Sequence, residues 1–107
     1  MPKVSVHDQR VRKLSRELSD VIEDLGRTYV VALEPELRSK TKTVGAPDIY
    51  VFDGHNHHYI EYKCNARQRH HAISQLRKGR DFARQHLGYD PVLWYVYGSK
   101  FESERVR

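Results

Sequence analysis

A polar turn between two strand-like runs constrains the fold of this 107-residue chain more than any other feature. The runs, 49–52 and 58–63, are rich in β-branched and aromatic residues, and residues 53–56 between them read Asp-Gly-His-Asn, a tight hairpin turn. If Gly54 and His55 form a two-residue turn, Asp53 pairs with Asn56. Counting back along both strands then places Asp48 opposite Glu61.

This register also sorts the side chains of the hairpin by face. Because strand side chains alternate, Glu61 and Lys63 share one face with Asp48. The apolar side chains Ile49, Val51, Ile60 and Tyr62 then share the other face. A register shifted by one residue would separate the two carboxylates, so the core pattern and the charged residues predict the same pairing.

Composition restricts the chain to a single globular domain over residues 1–107. Hydrophobic residues make up 38% and charged residues 31%, the balance of a folded soluble chain. No apolar run of membrane-spanning length and no apolar leader are present, which predicts an intracellular protein, cytoplasmic or nucleoid-associated, without a membrane partner. The single Cys64 excludes an internal disulfide framework and a multi-cysteine zinc site.

Helix and strand signals alternate along the rest of the chain. Apolar residues at helical spacing predict a first helix over 7–25, and a β-branched run predicts a strand over 28–33. A second helix is predicted over 70–87 and a last strand over 92–97, with a loose charged tail over 99–107. The order predicts an α/β fold: a three-stranded antiparallel meander, a helical crossover, and a central mixed sheet flanked by helices on both faces.

Positive charge is concentrated in two segments of a chain with a net charge of +5. From Lys63 to Arg84 there are seven basic residues and one acid, and a polar loop predicted over 35–45 holds a second basic cluster. Such clusters bind phosphate backbones, although a basic run by itself is equally typical of a solvated helix face. The predicted DNA-backbone contacts are Arg38, Lys40, Lys42, Arg67, Arg69, Arg77 and Lys78.

Asp48, Glu61 and Lys63 are the residue types of a hydrolytic metal site. Two carboxylates this close repel each other, and a divalent cation relieves the repulsion. Mg²⁺ suits carboxylate and water ligands, keeps positions open for phosphate oxygens and lowers the pKa of a bound water. Lys63 can orient that water and stabilise developing negative charge. The charges alone are equally compatible with a surface salt bridge among the three residues.

Glu17 is a further candidate for this site. On a helical wheel it lies about 80° from the centre of the apolar stripe, at a border from which a side chain can reach over the edge of the sheet. The alternative is an ordinary solvent-facing glutamate.

The segments 45–48 (Gly-Ala-Pro-Asp) and 61–63 (Glu-Tyr-Lys) make the chain resemble the PD-(D/E)XK nuclease superfamily. The resemblance covers most of residues 8–97 and implies a restriction-endonuclease-like αβββαβ core. It implies Mg²⁺, with Mn²⁺ able to substitute, as the cofactor of an endodeoxyribonuclease. The implied metal ligands are Asp48, Glu61 and the Tyr62 carbonyl, with Glu17 supporting the metal shell and Lys63 activating the water.

Within the superfamily, the segment 16–18 (Arg-Glu-Leu) in the first helix is similar to archaeal-type Holliday junction resolvases. That similarity implies a homodimer that places two sites on branched DNA in recombination and repair. Virus-type replication-repair nucleases are a second relative, in which a helical glutamine assists the site; Gln75 is the match here and Gln68 a weaker one. A restriction-type nuclease acting on other DNA structures, a nuclease subunit that cleaves only with a partner protein, and a non-catalytic DNA-binding module remain alternatives.

Overall fold

The computed structural model describes residues 5–24, 30–33, 38–39, 42–43 and 47–107 as an α/β fold. In chain order its elements are helix α1 (Val6–Asp24), strands β1 (Val30–Leu33), β2 (Arg38–Ser39), β3 (Lys42–Thr43), β4 (Ile49–Phe52) and β5 (His57–Lys63), a 3-10 turn (Ala66–Gln68), helix α2 (Arg69–Phe82) with a π-helical turn (Ala83–Leu87), and strands β6 (Val92–Tyr97) and β7 (Glu102–Val106). Among these residues no helix is long and apolar enough to cross a membrane.

The main sheet has five strands in the order β1-β4-β5-β6-β7. The β1–β4, β4–β5 and β6–β7 pairs are antiparallel, whereas β5 and β6 are parallel and joined through α2. The predicted mixed sheet, with its antiparallel start and helical crossover, is therefore confirmed. Strands β2 and β3 form a separate two-stranded hairpin inside the segment predicted as a loop, the rest of which lies outside the described residues.

The hairpin of β4 and β5 has the predicted register. Ile49 pairs with Ile60, and the Asp53 amide donates to the Asn56 carbonyl at 3.2 Å. Gly54 takes a φ of 94°, a backbone conformation that favours glycine. One step beyond the paired residues, Asp48 lies opposite Glu61.

Each face of the sheet is covered by one helix, as predicted. On one face the buried α1 residues Val11, Leu14 and Ile22 pack with the sheet residues Ile49, Val51, Ile60, Tyr62 and Val96. On the other, Ala72, Ile73, Leu76 and Ala83 pack with Tyr59, Leu93, Tyr95 and Val106. The alternation predicted for the four apolar residues of the hairpin therefore holds, because they all belong to the α1 face. The Asp48 side chain was predicted on the opposite face, but its Oδ2 contacts His7 of α1.

The prediction of a loose charged tail was wrong, because β7 pairs with β6 along its whole length. A turn with Gly98 at φ 79° and Phe101 at φ 55° reverses the chain. Val106 is buried, and the Arg69 guanidinium donates to both carboxylate oxygens of Glu104. The tail is charged because an edge strand exposes most of its side chains, not because it lacks structure.

The Asp53 carboxylate accepts the hydrogen bonds that hold the hairpin turn. It accepts from the amides of His55 and Asn56 at 2.8 and 2.7 Å and from the His58 ring at 2.8 Å. The bond from the Asn56 amide is the main reason why the pKa of Asp53 lies well below its ordinary value; the His58 ring and the His55 amide add to the shift.

We expect Asp53→Ala to lower the free energy of unfolding by about 2 kcal/mol at pH 7, since the turn loses several hydrogen bonds. A depressed carboxyl pKa stabilises the fold above its ordinary value of 3.8, and this stabilisation is lost as the pH falls through the folded-state pKa. Urea unfolding should therefore show a wild-type advantage that is constant above about pH 5 and shrinks in acid. His55→Ala, at the exposed tip of the same turn, is the control, and a difference that persists unchanged at pH 2 would contradict the assignment.

Candidate functional site

Most of the predicted site residues lie at the end of the sheet where β4 begins and β5 ends. Asp48 immediately precedes β4, and Glu61, Tyr62 and Lys63 are the last three residues of β5. Because α2 runs back across the sheet to reach the parallel strand β6, its amino terminus lies at this same end. The connection between β1 and β4, which includes the β2–β3 hairpin, also leaves and re-enters the sheet here.

Asp48 is held against the backbone of β5. Its Oδ2 accepts from the Tyr62 amide at 2.9 Å, and its side chain is 14% exposed. Tyr62 itself is fully buried, with its hydroxyl donating to the Gly98 carbonyl at 2.8 Å. The carboxylate therefore sits at the rim of the sheet with one oxygen oriented by the main chain.

His7, in the first turn of α1, completes this arrangement. Its Nε2 lies 3.2 Å from Asp48 Oδ2 and 3.0 Å from the Tyr62 carbonyl oxygen, and its Nδ1 lies 3.2 Å from Asp8 Oδ1. Both ring nitrogens face oxygen acceptors, which a doubly protonated imidazolium satisfies. Burial alone lowers the pKa of His7, but the charge of Asp48 and the hydrogen bonds to Asp8, the Tyr62 carbonyl and Asp48 together raise it above its ordinary value.

The sequence prediction missed His7, although the connectivity contains a signal for it. Strand β1 ends beside Ile49, so it begins at the far end of β4. Helix α1 precedes β1 through a short connection, and its carboxyl end therefore lies at that far end while its first turn lies over Asp48. Ser5 caps this turn, with its hydroxyl accepting from the Asp8 amide at 3.1 Å.

Glu61 and Lys63 flank Tyr62 on the face covered by α2. Glu61 is 3% exposed, and Lys63 is half-buried. No ion pair joins Lys63 to either Asp48 or Glu61, three residues that all lie within the described part of the chain. The alternative of a salt bridge among the three predicted residues is therefore not what the structure contains.

Gln75 projects from α2 toward the same half of the sheet. On the helical wheel, Arg69 and Arg77 define the edge of α2 that reaches β7, since they contact Glu104 and the Arg107 main chain. Gln75 lies on the opposite edge, toward β4 and β5. Its Oε1 is buried without a hydrogen-bond partner among the described residues. Gln68, the weaker candidate, is exposed at the start of α2.

The predicted reach of Glu17 toward this cluster is not observed. Glu17 is exposed and lines a cavity of about 590 Å³ that extends from Asp53 and His58 of the hairpin to Lys100 and Phe101 of the turn after β6. Ten residues of helix separate it from His7, a rise of about 15 Å. The structure therefore places Glu17 away from Asp48, which His7 contacts.

The predicted DNA-backbone contacts fall into three groups. Arg67 and Lys78 are exposed and make no ion pair with any residue that the structure describes. Arg69 is engaged by Glu104, and Arg77 donates to the Arg107 main-chain oxygen at 3.0 Å. For the third group, the backbone of Arg38 and Lys42 lies in the β2–β3 hairpin, and Lys40 lies outside the described residues.

The residues present fit a divalent cation at the Asp48 end of the sheet. Asp48 Oδ2 and the Tyr62 carbonyl oxygen face one common point, which the Nε2 of His7 occupies, and oxygen atoms that face a common point are the ligands a hard divalent cation prefers. Within the described ranges, no three His, Cys, Asp or Glu side chains gather around one metal position. A main-chain carbonyl ligand, such as that of Tyr62, is not a side chain and would come in addition.

No protein-family model matches this chain, and neither a curated protein nor a solved structure is similar enough to be matched to it.

Proposed function

We propose that this chain is a divalent-metal-dependent endodeoxyribonuclease that hydrolyses phosphodiester bonds in branched DNA and acts as a homodimer. The observation that carries the proposal is the convergence of Asp48 Oδ2 and the Tyr62 carbonyl oxygen on one ring nitrogen of His7, at the end of the sheet where Glu61 and Lys63 end β5. The resemblance of the 45–48 and 61–63 segments to the PD-(D/E)XK nucleases supports the same chemistry, and the resolvase-like first helix supports a branched substrate.

In this proposal Asp48, Glu61 and the Tyr62 carbonyl hold Mg²⁺ or Mn²⁺. When bound, the cation supplies a lowered pKa for coordinated water and neutralises charge on the attacked phosphate. Lys63 orients the water and donates hydrogen bonds to the phosphate as negative charge develops. Gln75 positions the water from the α2 side, through an amide whose oxygen has no other partner in the described structure.

The decisive experiment compares DNA shapes under identical conditions. Labelled four-way junction, flap, single-stranded and linear duplex DNA are incubated with Mg²⁺ or Mn²⁺ and with wild-type protein or Asp48→Ala. We expect symmetric nicks in the junction, weak or no cleavage of linear duplex, and no cleavage by Asp48→Ala. Equal cleavage of linear duplex would remove the junction preference and favour a restriction-type activity. Tight binding without cleavage of any substrate would make the chain a DNA-binding module.

DNA binding should depend on Arg67, just before α2, more than on the ion-paired Arg84 just after it. Arg67 is exposed at the site end of α2, whereas Arg84 near the other end donates to both oxygens of Asp90 at 2.8 and 3.1 Å. We expect Arg67→Gln to reduce the slope of log affinity against log salt by about one, as loss of one phosphate contact does.

Fluorescence anisotropy with labelled junction DNA, in Ca²⁺ to prevent cleavage, measures this slope between low and moderate salt. Arg84→Gln is the matched control and should leave the slope unchanged. An equal effect of both substitutions would mean that only the overall charge of the protein matters, and that the site end of α2 is not a DNA surface.

A further inference from the structure

Tyr97, the last residue of β6, lies beside Lys63 at the end of the sheet that holds the candidate site. The two residues are register partners in the parallel pair of β5 and β6. Paired residues of neighbouring strands project from the same face of a sheet, about 4.8 Å apart. Both side chains therefore stand on the α2 face, one strand apart, where the proposed reaction takes place.

The ring of Tyr97 is fixed by its neighbours, whereas its hydroxyl is not engaged. The ring stacks on that of Tyr95, with centroids 5.0 Å apart and 23° between the planes. Tyr95 is fully buried and donates its own hydroxyl to the Asn65 carbonyl at 3.2 Å, just beyond the end of β5. Tyr97 is only half-buried, and no hydrogen bond joins its hydroxyl to another residue that the structure describes. A donor held in place without a protein partner is a preorganised contact for a ligand.

The charges around Tyr97 favour an anion on one side of its ring. Lys63 flanks it on β5, and Glu102 flanks it on β7 as its other register partner. Arg69, which begins α2 on this face, is already engaged by Glu104. An anion that contacts both Lys63 and Tyr97 therefore lies on the β5 side of the ring. Glu102 is then two strands away from Lys63, about 10 Å, and limits the path of a phosphate chain at β7.

We infer that the Tyr97 hydroxyl donates a hydrogen bond to a phosphate of the DNA backbone, next to the phosphate that Lys63 approaches; the inference rests on the proposed DNA substrate. Contacts of this kind fix the position of the backbone on a protein. Because tyrosine is neutral, the contact releases no counterion when DNA binds. Its loss should weaken binding about tenfold, as for one hydrogen bond to a charged group, without changing the slope of log affinity against log salt.

Tyr97→Phe tests the hydroxyl alone, because the phenyl ring keeps the stacking on Tyr95. Fluorescence anisotropy with labelled junction DNA in Ca²⁺ measures affinity and salt slope. Junctions in which one phosphate at a time is replaced by an uncharged methylphosphonate then map the contact. We expect one position at which the replacement weakens wild-type binding about tenfold more than binding by Tyr97→Phe. Tyr89→Phe is the matched control, since its hydroxyl contacts Tyr59 and its ring stacks near the start of β5, and it should bind every junction like the wild type.

The outcomes separate this inference from the nuclease proposal. A mapped contact in a protein that cleaves none of the DNA shapes would support Tyr97 and contradict the nuclease. Cleavage by the wild type, together with unchanged affinity of Tyr97→Phe, would overturn the inference and leave the nuclease intact. A loss that no single phosphate accounts for, or a salt slope reduced by about one, would mean that the hydroxyl acts through the protein or through Lys63, and would also overturn the inference. A wild-type protein that binds no DNA would contradict both.

Discussion

Lys63→Ala is expected to lower the single-turnover rate constant for junction cleavage by about a thousandfold, while DNA affinity in Ca²⁺ changes only a few-fold. Lys63 ends β5 beside the converging oxygens, and its side chain is half-buried. It makes no ion pair with Asp48 or Glu61, so its ammonium group remains available for a water or a phosphate. A donor aimed at charge that develops during reaction contributes mainly to the rate and little to ground-state binding.

The matched control for this prediction is Lys100→Ala, which removes an exposed lysine on the α1 side of the sheet. Its cleavage rate should stay within twofold of the wild type. Quenched-flow measurements at saturating protein separate rate from affinity. If Lys63→Ala weakens binding and cleavage by the same factor, Lys63 is a DNA contact rather than part of the catalytic apparatus.

The β4–β5 hairpin was predictable because two independent constraints act on the same short segment. The turn sequence and the alternation of apolar side chains require one register, which the structure has and which also pairs Asp48 with Glu61. A one-residue slip would turn Ile60 and Tyr62 to the opposite face. Where local and tertiary requirements agree in this way, sequence patterns give not only the elements but also their alignment.

Strand β7 was not predictable for the opposite reason. Its residues alternate between charged and small side chains, and only Val106 is buried. What makes this segment a strand is the exposed edge of β6 together with the contact between Arg69 and Glu104. Neither is visible locally, because an edge strand is defined by its neighbour and not by its own apolar pattern.

The choice between His7 and Glu17 shows a limit of helical-wheel reasoning. A wheel gives the direction of a side chain around the helix axis but not its height along the sheet. Glu17 has a suitable direction but lies ten residues farther along α1, a rise of about 15 Å, whereas His7 contacts Asp48 directly. The height follows from the direction in which α1 crosses the sheet, which depends on the pairing of β1 with β4.

Leu76→Ala is expected to lower the free energy of unfolding by about 3 kcal/mol, since a large buried side chain leaves a cavity in a core that cannot collapse fully. Leu76 is 1% exposed and packs from α2 into the cluster of Tyr59, Leu93 and Tyr95. Urea unfolding followed by tryptophan fluorescence measures the change. Ser74→Ala, on the exposed side of the same helix, should stay within about 0.5 kcal/mol of the wild type.

The same variant tests whether the candidate site is independent of the α2 core. Leu76 lies on the interior face of the helix, whereas Asp48 and the Tyr62 carbonyl, two of the proposed metal ligands, are positioned by the main chain of β5. Below the unfolding transition, the cleavage rate per folded molecule should therefore match that of the wild type within about twofold, even though stability has fallen. A rate that falls together with stability would mean that α2 does more than cover the sheet: its packing would set the position of Gln75 and, through it, the attacking water.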